Sequence, residues 1–142
     1  MKHFIFFLFY CSVVNFVTAQ KLESSKIPEA VKTSFAKHYP AVKNIDWEME
    51  NGEYEASFKD KSVSHAVMFK KDGTFTESEI DIATNELPSP ILGYMKEHYK
   101  NSPVKEASKI TKADGTVNFE AGIKGKDIIF DEQGKFIKEA MD

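Results

Sequence analysis

The sequence predicts an α+β fold built as a tandem pseudo-symmetric repeat, each copy one helix plus a four-stranded antiparallel sheet, with the helices packed on one sheet face. Three observations carry this prediction. The first is an internal duplication. Ile27-Pro28 through Tyr39 recurs as Leu87-Pro88 through Tyr99 at a fixed offset, and His38-Tyr39 returns as His98-Tyr99. The match resumes where Tyr54-Glu55-Ala56-Ser57-Phe58 becomes Phe119-Glu120-Ala121-Gly122-Ile123, and where Phe69 to Phe75 becomes Phe130 to Phe136. A repeat organises a fold before local propensity is consulted. The second observation is periodicity: each copy opens at helical spacing and continues in runs that alternate every second residue. The third is punctuation by turn dipeptides, Asn51-Gly52, Asp72-Gly73, Asp114-Gly115, Lys124-Gly125 and Gln133-Gly134.

In the first copy, Ile27, Ala30, Val31, Ser34, Phe35 and His38 define one sticky helical face, with Pro28 suited to the first turn and Pro40 ending the helix. Gln20 to Lys26 is polar and reads as a flexible lead-in. Ile45, Trp47 and Met49 alternate with acids, and after Asn51-Gly52 so do Tyr54, Ala56 and Phe58. This predicts a hairpin, because Asn-Gly supplies the positive φ angles of a two-residue turn. A third strand is expected over 63–69 and a fourth from the Asp72-Gly73 turn to about Ile82.

The second copy repeats the plan. Pro90 and Gly93 weaken its helix, Gly93 by about 1 kcal/mol relative to alanine, while Ile91, Met95 and His98 keep the buried face. Strands are expected at about 105–111, 116–123, 127–130 and 136–141. Residues 85–88 form the joint between the halves. A unit of about 60 residues is marginal alone, so two are expected to share a core. Antiparallel sheets can leave one face in water. If both helices cover one side, the other is a broad open surface and the first place to look for a partner.

Met1 to Ala19 carries the parts of a secretory signal. Lys2 supplies the basic start, an apolar run extends from Phe4 to Tyr10 and on through Val17, and Val17-Thr18-Ala19 forms a small-residue cleavage site. The run falls short of the roughly 20 residues that span a bilayer and is broken by Ser12 and Asn15. Cleavage before Gln20 is expected, leaving 20–142 as one domain made of repeats 27–82 and 87–141, without membrane insertion. Cys11 leaves with the signal, so disulfides, thiol nucleophiles and zinc-thiolate sites are not available to the rest of the chain.

The formal net charge is −3, and every cation is lysine. Nucleic-acid recognition leans on the planar, bidentate guanidinium, so a nucleic-acid partner is not expected. No nucleophile elbow, phosphate-cradling loop, dinucleotide fingerprint or His-Glu-x-x-His occurs. The expectation is therefore a non-enzymatic protein with no cofactor.

Other polar features read as structural. His38 and His98 each sit at the last turn of a helix, where the dipole favours the charged imidazole, and His65 stands alone among apolar neighbours. Glu77, Glu79 and Asp81 lie at period two and read as a solvated strand face rather than a calcium site, which usually takes six to eight converging oxygens. The candidate binding residues are Trp47, Tyr54 and Met68, as parts of an aromatic and apolar surface. Trp47 and Tyr54 become core if their strand face lies under the helix.

Ile27-Pro28-Glu29-Ala30-Val31-Lys32 with Phe35 and His38-Tyr39-Pro40, then Trp47-Glu48, Gly52 to Ala56 and Lys71-Asp72-Gly73, resemble the PepSY-like, β-lactamase-inhibitor-like secreted proteins of Gram-negative bacteria. The resemblance covers residues 20–142 and implies the same repeat of helix plus sheet. It implies a periplasmic or extracellular binding module that engages an envelope or extracellular protein, such as a hydrolase or peptidase. The inhibitors that lend the name carry disulfides and an inhibitory loop that this sequence does not match, so no functional residue is transferred. The alternative expectation is a small-ligand or metal/haem carrier using the crevice between halves, with His38, His98 or His65 contributing.

Overall fold

The computed structural model describes residues 20–141. The expected signal peptide over 1–19, including Cys11, lies outside the described residues. Within them the chain forms strands β1 Gln20–Leu22, β2 Asp46–Glu50, β3 Glu53–Asp60, β4 Val63–Phe69, β5 Phe75–Asp81, β6 Glu106–Lys112, β7 Val117–Ile123, β8 Lys126–Asp131 and β9 Phe136–Met141. Helices α1, Glu29–His38, and α2, Ser89–His98, precede β2 and β6, each introduced by a single 3-10 turn. All nine strands pair antiparallel in chain order to make one sheet. The fold is α+β.

The helices begin where proline makes beginning cheap. The Pro28 carbonyl accepts from the Val31 and Lys32 N–H groups, and Pro88 does the same for Ile91 and Leu92. Pro90 sits in the first turn of α2, where an N–H would have no intrahelical acceptor. Each helix buries two side chains four apart, Val31 and Phe35 in α1 and Ile91 and Met95 in α2.

In the first half, Val31 and Phe35 join Trp47, Tyr54, Ala56, Phe58, Val67 and Phe69 in one buried cluster. The Phe35 ring meets Trp47 at 5.6 Å and Phe58 at 5.3 Å between centroids, both edge to face. In the second half, Ile91 and Met95 join Ala107, Ala121, Ile123, Ile128 and Phe130. Register connects the two clusters. Trp47 opposes Ala56, Ala56 opposes Val67, Val67 opposes Ser78, and Ser78 opposes Thr111, two residues along its strand from Lys109 and four from Ala107. The strand residues of both clusters therefore lie on the same face.

Turn chemistry explains the hairpins. Asn51 and Gly52 both take positive φ, 50° and 84°, giving the tight turn between β2 and β3. The β3–β4 turn reaches similar angles with Lys61 and Ser62. The Asp72 side chain accepts the Thr74 N–H at 2.9 Å, and Asp131 accepts those of Gln133 and Lys135. Both turns press against a helix start: a Cβ at Gly73 would lie 2.5 Å from the Ala30 carbonyl oxygen, and one at Gly134 2.8 Å from Pro90 Cβ.

Two expectations are corrected. The buried residues form two clusters rather than one shared core. The lead-in over 20–26 is ordered: β1 forms the sheet edge, with Leu22 opposite Trp47, and Lys21 Nζ reaches Asp46 Oδ1 at 2.9 Å.

Candidate functional site

Strand alternation buries the residues of both core clusters on one face and, among the described residues, presents the other without a covering element. On this open face β4, flanked by β3 and β5, contributes Ala66 and Met68. Register places Glu55 of β3 and Glu77 of β5 directly on either side of Met68, and Ser57 and Glu79 on either side of Ala66. Farther across, Glu79 opposes Ile110, Ile110 opposes Asn118, and Ile129 opposes Lys138.

The face is concave. Register shifts at Met68/Phe69 and Ile129/Phe130 place one bulge between β4 and β5 and another between β8 and β9, and bulges bend and twist a sheet. Glu50 of β2 and Lys138 and Ala140 of β9 consequently line one cavity of about 440 Å³, with every strand between them contributing to its wall. A second recess of about 470 Å³ shares Ala66 and Glu79 with it and extends to Asp46, Ser64, His65 and Asp81.

The chemistry of the cavity is dominated by carboxylates. Its β2–β5 side holds Glu50, Glu53, Glu55, Glu77 and Glu79; Glu120 and Asp127 follow on β7 and β8, and Lys112 and Lys138 stand on β6 and β9. The three ion pairs among the described residues, Lys21–Asp46, Lys32–Glu29 and Lys126–Glu139, involve none of the five glutamates of the β2–β5 side. Two of these are instead held by hydroxyls. Ser57 donates to Glu55 at 2.6 Å and Thr76 to Glu53 at 2.7 Å.

Crowding of like charges in partial burial leaves its mark on protonation. Glu50 is pushed up to about 7, first by a hydrogen bond with Glu55, then by burial and the charges of Glu55, Glu79 and Glu77. Glu79 is raised by burial, helped by Asp81, Glu77 and Glu55. The neighbouring Ser108 hydroxyl opposes that shift yet stops short of hydrogen-bond geometry. Ser108 is 3% exposed, and its Oγ has no hydrogen-bond partner.

The three candidate binding residues separate. Trp47 and Tyr54, 4% and 9% exposed, belong to the core cluster with α1 and form no part of a surface. The reason is register: each opposes a residue that faces the helix, Ala56 for Trp47 and Phe69 for Tyr54. Met68 lies on the concave face. The histidines are dispersed. His38 stacks on Phe75 with Nδ1 donating to the Ser34 carbonyl, His98 stacks on Tyr94 at 4.1 Å, and His65 stacks on Phe58 at 5.1 Å. Sequence reasoning missed the convergence of acids. Glu77 and Glu79 are visible at period two, but their meeting with Glu50 and Glu55 depends on hairpin register and on sheet curvature, and of the two only register has a sequence signal, the Asn51-Gly52 turn.

These features define a class: an α+β protein with two helices and a nine-stranded antiparallel sheet, the core clusters on one face and an acidic concavity on the other. The chain belongs to the family described as "Putative beta-lactamase-inhibitor-like, PepSY-like", which it matches over residues 15–64 and 52–138. Among solved structures it is similar to one described as a putative periplasmic protein from Bacteroides eggerthii, at 18% identity and TM-score 0.68, covering 80% of this chain and 88% of that one. It is likewise similar to a BLIP-like protein from Bacteroides fragilis, at 23% identity and TM-score 0.63, covering 80% and 86%. Likeness at these identities concerns the fold. No curated protein matches the sequence. No helix among the described residues is long and apolar enough to cross a membrane.

Proposed function

We propose that this chain is a periplasmic, non-enzymatic binding module that docks a protein on its concave sheet face, restraining a hydrolase or peptidase by steric occupation. Its two halves are read as tandem copies of one helix-and-sheet unit, and this is why the face is broad: each copy contributes four strands to a single continuous surface. One observation carries the reading. The face opposite the helices is curved and half-buried, and its β2–β5 side crowds five glutamates, in no ion pair among the described residues, around an apolar strip, an arrangement that costs stability and that a partner would relieve. A standard interface needs roughly 800 Å² per partner, which a concavity fed by eight strands can supply. Met68, at the centre of the strip, is assigned as a contact residue. The description of solved relatives as periplasmic and the apolar stretch over 4–17 support the compartment.

The test is site-specific. A photo-crosslinking residue at position 66, on the concave floor, should trap one defined envelope protein, whereas the same residue at position 97, exposed on α2, should not. Equal trapping from both positions, or trapping only from 97, would refute the docking face.

A further inference from the structure

We propose that the occupant of the concavity is a basic, extended segment of the partner, its aliphatic stems lying on Ala66 and Met68 and its cationic heads between Glu55 and Glu77. This rests on the reading of the concave face as the docking surface and adds the chemistry of what docks there.

Geometry supplies the first argument. Glu55 and Glu77 stand on the two strands flanking β4, each directly opposite Met68, so their backbone positions are separated by two strand spacings, roughly 10 Å. An apolar strip with a carboxylate wall on each side matches a lysine or arginine side chain, which buries its methylenes and keeps its charge at the end.

Charge supplies the second. The β2–β5 side of the cavity holds five glutamates, none of them in an ion pair among the described residues, with Lys112 of β6 directly across from Glu77 and Lys138 farther off on β9. The acidic end is thus complementary to a cation brought from outside.

The spread of the carboxylates selects the occupant. Among the described residues no group of three or more His, Cys, Asp or Glu side chains is placed to hold a metal ion. Charges distributed from strand to strand suit several cationic heads along an extended chain, not one ion.

The probe is a fluorescein-labelled octapeptide of alternating lysine and alanine, titrated by anisotropy beside the same peptide with acetylated lysines. The lysine peptide should bind saturably at low salt, and acetylation should weaken it at least tenfold, about 1.4 kcal/mol. The near-isosteric double variant Glu55→Gln/Glu77→Gln, its fold checked by thermal melting, should lose about tenfold in affinity and much of the salt dependence. Glu29→Gln/Glu97→Gln on the helices should bind as the parent does. Equal binding of the acetylated peptide, an unaffected double variant, no saturable binding, or displacement by micromolar calcium would each overturn the proposal. Failure here with continued trapping from position 66 removes only the basic partner; success here without trapping removes the protein-docking reading and leaves a cation-selective groove.

Discussion

Glu50 and Gly73 show how single positions report on the two sides of the sheet. Glu50 is a carboxyl whose folded state holds its proton up to about 7, against an ordinary value of 4.5. Between those values the folded chain binds more protons than the unfolded one, so stability falls as pH rises through the window. The penalty is absent below about 4.5 and complete above about 7. Glu50→Gln should therefore raise the melting temperature at pH 8, on the order of 2 °C given partial exposure, and flatten the pH dependence between 5 and 7. An unchanged slope would mean that Glu50 and Glu55 do not share a proton. Gly73 tests the helix side. Its φ of 85°, and the 2.5 Å that would separate an added Cβ from the Ala30 carbonyl oxygen, predict that Gly73→Ala costs about 1–3 kcal/mol in urea unfolding. Gly52→Ala, with a similar φ but open space around it, should cost less.

Among the elements, α1 anchors the first half through Phe35, which touches the rings of Tyr39, Trp47, Phe58 and Phe69. Phe35→Ala should destabilise by about 3–5 kcal/mol, measured as a drop in denaturant midpoint. Ile91→Ala in α2, fully buried in the second cluster, should cost about 2–5 kcal/mol. These elements were legible because their signals are local. Pro28 and Pro40 bracket α1, helical spacing marks Val31 and Phe35, and Asn51-Gly52 marks a hairpin. Two features were not. β1 is a three-residue polar edge whose pairing comes from the long-range fit of Leu22 to Trp47, and the β3–β4 turn uses Lys61 and Ser62 at positive φ, where residue identity gives no warning.

For the molecule as a whole, what sequence could not reveal is curvature. Alternation told that Glu77 and Glu79 share a face, and that Ala66 and Met68 lie opposite Val67 and Phe69. It did not tell that the face folds inward until Glu50 and Lys138 line one cavity, turning a solvated strand surface into a crowded acidic recess. The same alternation left Trp47 and Tyr54 open to either side, and only the position of α1 decides for the core. On the proposed docking, the faces divide the labour: packing residues on the helix side set stability, and Ala66, Met68 and the glutamates on the other side are assigned to recognition. The most direct test is the affinity of the partner trapped from position 66, titrated against Ala66→Trp and against Glu97→Trp after both are shown by melting to be folded. Filling the concave floor should weaken binding at least tenfold, about 1.4 kcal/mol, with the helix substitution neutral; undiminished affinity in Ala66→Trp, or loss only in Glu97→Trp, would contradict the account.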